Sequence, residues 1–239
     1  MKYWTEFFDS PVAVIGFGLF VLVFPVYHAC LQPLRVRFAR FATGKRFQIW
    51  RESWVRRILE QGDVTMGVQQ MRNTTMVASL LASSTLIMIG LAGNLVFQLS
   101  RPQSAKLPAS LTPAVFKGVL MIAMLALAFS LFVACLRRLG QFTITIGANP
   151  KVMDQTVGSA VGYLTALYGR ANRAYSVGIR CLFSLFPLAL WFVSDWLFLL
   201  MTLALGIRFV FIEDFAYLFK RRKRPLPDGQ GSIFQRHNF

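Results

Sequence analysis

The sequence predicts an all-α polytopic membrane protein, a helical bundle of about five transmembrane helices with a basic amphipathic helix at the interface. Three observations lead there. Residues 181–207 carry a single charge, Asp195. The whole chain of 239 residues is 55% hydrophobic and only 15% charged, with a mean hydropathy of +0.52. Its basic residues gather between and after the apolar runs rather than within them.

Taken in order, the first span covers residues 11–31, with Pro11 placed at a helix start and Pro33 beyond its end. Phe24 to His28 offers no small-residue cleavage site, so this span is expected to be retained rather than removed as a signal peptide. The second span, residues 74–99, follows Arg72 and Asn73. A polar linker holding Pro102, Pro108 and Pro113 ends it. The third, residues 114–136, stops at Arg137 and Arg138. As one helix, residues 181–207 would reach about 40 Å, more than a hydrocarbon core of roughly 30 Å. The block is therefore divided at Ser194 and Asp195 into spans at residues 174–193, interrupted by Pro187, and 196–217, with Asp195 as a natural helix cap. Residues 1–219 read as one membrane domain, and residues 220–239 as a flexible basic tail.

Five spans place the termini on opposite sides, and the basic residues choose the orientation. One side holds nine Lys or Arg in the first loop, five after span three and six in the tail, twenty in all, against Lys2, Arg101, Lys106 and Lys117 on the other. The positive-inside rule puts the N-terminus outside and the tail in the cytoplasm, in a bacterial inner membrane. A net charge of +16 distributed this way points to anionic phospholipid as partner rather than to nucleic acid.

Within the first loop, residues 48–61 form the amphipathic helix. Trp50, Trp54 and Ile58 recur at spacing four, while Arg56 and Arg57 share the polar arc. Trp50, Trp54, Arg56 and Arg57, with Lys220, Arg221 and Arg222 of the tail, are the expected lipid contacts. Residues 140–150 alternate apolar and polar at Phe142, Ile144 and Ile146, which fits either a short strand or a helix end. A turn at Gly147, Asn149 and Pro150 precedes a helix-like stretch over residues 153–167.

Polar residues inside or beside the spans are the candidates for function. Ser79, Ser83 and Asn94 give span two a small polar face, with Arg72 and Asn73 at its start. Asn172 and Arg173 precede span four, Arg180 lies within its margin, and Arg208 lies deeper still in span five. An intramembrane arginine must snorkel, pair or face water, so these residues mark either a polar bundle interior or an ion path. Asp214 is too far along the helix from Arg208 for an i,i+4 pair.

Cys30, Cys135 and Cys181 have no metal-site or redox spacing, and two histidines with no paired acidic motif leave nothing for catalysis. No catalytic residue, metal or cofactor is expected.

At residues 78–85 (ASLLASST), 142–150 (FTITIGANP) and 172–180 (NRAYSVGIR), continuing through Trp191, Asp195, Trp196 and Phe198 to Arg208 and Glu213, the chain resembles a family of uncharacterised integral membrane proteins of bacteria and plants, known by a domain of unknown function. The resemblance runs from about Trp54 to Asp214. It departs before span two, where an acidic-polar stretch in the family stands against Gly67, Val68, Gln69 and Gln70 here, with Asp63 upstream. The resemblance implies a helical membrane fold and carries no reaction.

Function then divides into two readings. One is a small homo-oligomeric channel conducting an inorganic ion, with anions favoured by arginines at its mouth. The alternative is a non-transporting scaffold or accessory subunit that binds anionic lipid and partner membrane proteins.

Overall fold

The computed structural model describes residues 10–24, 43–100 and 113–209, and every regular element among them is a helix. These are α1 (Pro11–Val21), α2 (Thr43–Gln61), α3 (Val64–Ser100), α4 (Pro113–Thr145), α5 (Pro150–Val157), α6 (Ala160–Phe183), α7 (Leu185–Leu190) and α8 (Asp195–Ile207). His28, Cys30, Glu213, Asp214, Lys220, Arg221 and Arg222 lie outside the described residues.

Three helical stretches are long and apolar enough to cross a membrane: Val64–Ser100, Pro113–Thr145 and Ala160–Leu190. Two shorter apolar helices, Pro11–Phe24 and Asp195–Ile207, accompany them, so the chain is a multi-pass helical membrane bundle.

Local chemistry sets the helix ends. Ser10 Oγ accepts from the Ala13 N–H at 3.4 Å and Pro11 fills the first helical position of α1. Gly62 turns the chain with φ 68°, and Asp63 then accepts from Met66 N–H at 3.1 Å to open α3. The expected stretch at residues 153–167 is broken rather than continuous. Gly158 ends α5 at φ 80°, Asp154 Oδ1 accepts from Ala160 N–H at 2.7 Å, and Ser159 caps α6 through Gly162 N–H at 3.1 Å. Ser194, not Asp195, takes the cap position of α8, and Asp195 sits in the first turn.

Residues 142–145 are helix, the last turn of α4, and not a strand. Phe142 and Ile146 are four apart as well as alternating, and both are buried on one helix face. At 33 residues α4 is about 50 Å long, well beyond the hydrocarbon thickness. Its only charges are Lys117 near one end and Arg137 and Arg138 near the other. Lys117 and Arg138 are about 31 Å apart along the axis, close to one hydrocarbon core. These residues mark two membrane boundaries, called here the lysine boundary and the basic boundary.

The most extensive helix pairings are α3 with α4 and α4 with α6, so α4 is the central helix of the bundle. Gly178 lets α6 approach α4 closely, since a Cβ there would lie 2.9 Å from the Phe132 ring. Among the described residues a large apolar core forms at each end, with two smaller clusters between them. Beyond the basic boundary, Leu139, Phe142 and Ile146 of the α4 end pack with Val55 and Ile58 of α2, Met153 of α5, and Leu164 and Leu167 of α6. At the other end α1 lies against α8, joined by Phe20, Phe24, Phe198 and Phe209, with Trp191 and Leu188 beside them. A Cβ on Gly16 would come within 2.9 Å of Phe198, and one on Gly206 within 3.0 Å of Val23, so small residues permit this crossing too.

Candidate functional site

The sequence candidates fall into three groups. The first lies on α3. Ser79, Ser83, Leu86, Gly90 and Asn94 occupy an arc of about 80°, centred about 120° from the face of Met71, Ala78, Ala82, Thr85 and Ala92 that packs inward. Ser79, Ser83 and Asn94 are exposed, as are Arg72 and Asn73 one to two turns before them. The small polar face therefore looks away from the other helices and, among the described residues, lines no interior. Asn94 Oδ1 accepts from Gln98 Nε2 at 3.4 Å, a local bond along the same face.

The second group joins α6 and α8 at mid-depth. Arg180 is buried at 8% exposure, with its Cζ 5.5 Å from the Phe209 ring centre. Arg208 is exposed, and its Cζ lies 4.6 Å from the Phe183 ring centre. Phe183 and Phe209 meet edge-on at 6.4 Å, so each arginine rests on a ring from the other helix and the two rings touch between them. Beside this group α6 breaks: Ser184 Oγ donates to the Cys181 carbonyl, and Pro187 interrupts the next turn. Two buried hydroxyls, Thr165 and Thr202, have no hydrogen-bond partner among the described residues.

The third group is at the basic boundary. Asn172 and Arg173 are exposed on α6, as are Arg56 and Arg57 on α2. Arg56 pairs with Glu52 at 3.3 Å, and Arg57 Nε donates to Gln61 at 3.1 Å. The two tryptophans of α2 part company. Trp50 is 59% exposed, whereas Trp54 stacks on Phe142 at 6.3 Å and tilts against Tyr168 at 6.1 Å. Trp54 thus anchors α2 to α4 and α6, whereas most of the Trp50 ring is exposed.

A fourth constellation escaped the sequence reading. At the lysine boundary, Lys117 Nζ donates to the Trp191 carbonyl at 2.8 Å and lies 3.9 Å from Asp195 Oδ1. The same ammonium sits 4.8 Å from the Trp191 ring centre, and Trp191 Nε1 donates to Asp195 Oδ1 at 3.0 Å. One cation, one carboxylate and one indole close the turn between α7 and α8 onto α4. The only sequence signal was a lone Lys inside an apolar run, and its partners lie more than seventy residues away.

Cys135 and Cys181 are buried free thiols, and no metal-holding group of His, Cys, Asp and Glu occurs among the described residues.

With this architecture in place, residues 15–216 match the family described as Protein of unknown function, DUF599. The chain belongs to that family. The match begins inside α1 and ends beyond α8, so it takes in all of the described bundle except the first turn of α1, a helix that the motif resemblance had left out. No curated protein and no solved structure matches the chain. Membership of DUF599 supplies no activity, and the membrane character of the chain rests on its three long apolar helices.

Proposed function

We propose that the protein is a homo-oligomeric ion-conducting membrane protein in which the path runs between protomers. The observation that carries this reading is the placement of Ser79, Ser83 and Asn94 on the exposed face of α3, away from α4. Polar side chains at hydrocarbon depth are costly against lipid and gain from a facing helix or from water. Symmetry-related copies of α3 would supply both, with Gly90 allowing close approach. The protomer itself is packed with apolar side chains along α4 and α6, which argues against a path through its centre. Exposed Arg208 would bias such a path toward anions. The reading needs no catalytic step. It keeps the orientation in a bacterial inner membrane with the N-terminus outside and the tail in the cytoplasm.

The second reading, a non-transporting scaffold or accessory subunit that binds anionic lipid and partner membrane proteins, draws on Arg180. Its guanidinium is packed against Phe209 within one protomer, as a structural arginine would be.

The test is ion flux from protein reconstituted in anionic liposomes. Wild type is expected to pass ions, S79L/S83L to lose most of the flux while staying folded and inserted, and R208A to reduce anion preference. Absence of flux under both anion and cation gradients, from correctly inserted protein, would retire conduction in favour of the scaffold.

A further inference from the structure

At the basic boundary, arginines from three helices converge on one turn of α6. Arg51 of α2 places its Cζ 5.7 Å from the Tyr168 ring centre, and its Nη1 lies 3.1 Å from where a Cβ on Gly169 would stand. Arg138 of α4 donates through Nη1 to the Arg170 carbonyl at 3.1 Å. Gly169, Arg170, Asn172 and Arg173 then fall on the arc of α6 opposite Leu164, Leu167, Ala171 and Ala174, the face that packs into the core. Arg170, Asn172 and Arg173 are exposed, and Arg51 and Arg138 are half-buried at the flanks of that arc.

Two features distinguish this from a solvated charged surface. The flanking guanidiniums are held in place, one on a ring and one on a carbonyl, over the rigid stack of Trp54, Phe142 and Tyr168. Each engages few of its five N–H donors in these contacts, which leaves the fork free for an oxyanion. The charge is also uncompensated. The ion pairs among the described residues are Arg56 with Glu52 and Lys117 with Asp195, and neither involves Arg51, Arg138, Arg170 or Arg173. Like charges gathered without a carboxylate repel one another, and an anion relieves that repulsion. Arg138 marks the membrane boundary on α4, so the cluster stands at the depth of headgroup phosphates.

We propose that Arg51, Arg138, Arg170 and Arg173, with Asn172, form a binding site for an anionic phosphate group. The lack of Cβ at Gly169 lets the Arg51 guanidinium lie close against α6 at one flank of that site. An anionic lipid headgroup and a soluble phosphate compound share this chemistry. The site is independent of whether the protein conducts ions.

The experiment uses the full-length protein in phosphatidylcholine nanodiscs, with phosphatidylglycerol as lipid probe and inorganic pyrophosphate as soluble probe. Bound phosphatidylglycerol is counted by native mass spectrometry. Substituting R138Q/R170Q is expected to cut its retention at least tenfold. The charge-matched R137Q/K151Q, at exposed positions outside the cluster, should change it less than twofold. Pyrophosphate displacing the lipid from wild type but not from R138Q/R170Q would assign the site to soluble phosphates as well. Lipid retention that pyrophosphate leaves untouched would assign it to headgroups alone. Equal losses in both double variants would reduce the effect to general surface charge and overturn the proposal, as would wild-type protein that retains neither probe. Should R138Q/R170Q fail to fold, R138K/R170K keeps the charge and removes the planar fork, and a loss of about threefold or more is then expected.

Discussion

The two membrane boundaries handle positive charge in opposite ways. At the lysine boundary a single ammonium is enclosed by a carboxylate, an indole ring and a backbone carbonyl, and the indole N–H donates to the carboxylate as well. At the basic boundary Arg51 and Arg138 are held by a ring and a carbonyl, with no carboxylate paired to either among the described residues. The first satisfies its charge internally and so closes a corner of the fold; the second fixes its geometry and leaves its charge outstanding. A cation's role therefore follows from whether an acid stands beside it, and residue type alone does not reveal which case applies.

Asp195→Ala should produce the largest effect. It removes the acceptor of the Trp191 indole N–H and the counter-charge of Lys117 at a partly buried site, and a loss of about 3 kcal/mol is expected in detergent unfolding. Asp195→Asn retains an acceptor for the indole and should lose about half as much. If Asp195→Ala proves no more harmful than Arg138→Gln, the closed corner is not a stabilising feature and the contrast collapses.

Next in size, Trp54→Ala removes the ring that clamps α2 to α4 and α6, with an expected cost of about 2 kcal/mol. Trp50→Ala should cost less than about 0.5 kcal/mol because that ring is exposed. Equal effects would mean that Trp54 is not the anchor of α2 on α4 and α6.

Of the two boundaries, the basic one should show the smaller effect on stability: Arg138→Gln is expected to cost below about 1 kcal/mol, because the bond it gives up is a single one at a half-exposed position. Salt sharpens the same contrast: moving from 0.05 to roughly 0.5 M salt should weaken anionic-lipid retention severalfold, while the Asp195→Ala penalty changes little in its partly buried setting. A salt-sensitive penalty would place Lys117 and Asp195 in open water.

The apolar segments and several helix starts were legible in the sequence because hydropathy and proline position are local signals. Pro11, Pro113 and Pro150 each open a helix, and the first and last do so with Ser10 and Asn149 as caps. The end of α4 was ambiguous for a physical reason. Phe142, Ile144 and Ile146 alternate as a strand would, while Phe142 and Ile146 also satisfy helical spacing, and only the neighbours on α2 and α5 decide between them. Small residues on α3 were equally undecided. Ala78 and Ala82 face inward, while the adjacent Ser79 and Ser83 face outward, and composition does not separate the two faces. Of the four arginines flagged in or beside the spans, Arg180 alone is buried, and depth could not single it out, because Arg208, read from the sequence as the deeper of the two, is exposed. The Lys117, Trp191 and Asp195 corner depended on contact between distant segments, which no local pattern encodes.

The length of α4 has one further consequence. Its last turns carry Leu139 and Phe142 out of the hydrocarbon and, with Ile146 just beyond them, into a core shared with α2, α5 and α6. That layer is held together like a small soluble domain, by apolar surface withdrawn from water, whereas lipid tails give the spans no such drive to associate. Urea should therefore melt the layer first and leave the spans helical. The result would be a two-step unfolding curve whose early step registers in the fluorescence of Trp54 and whose late step does not.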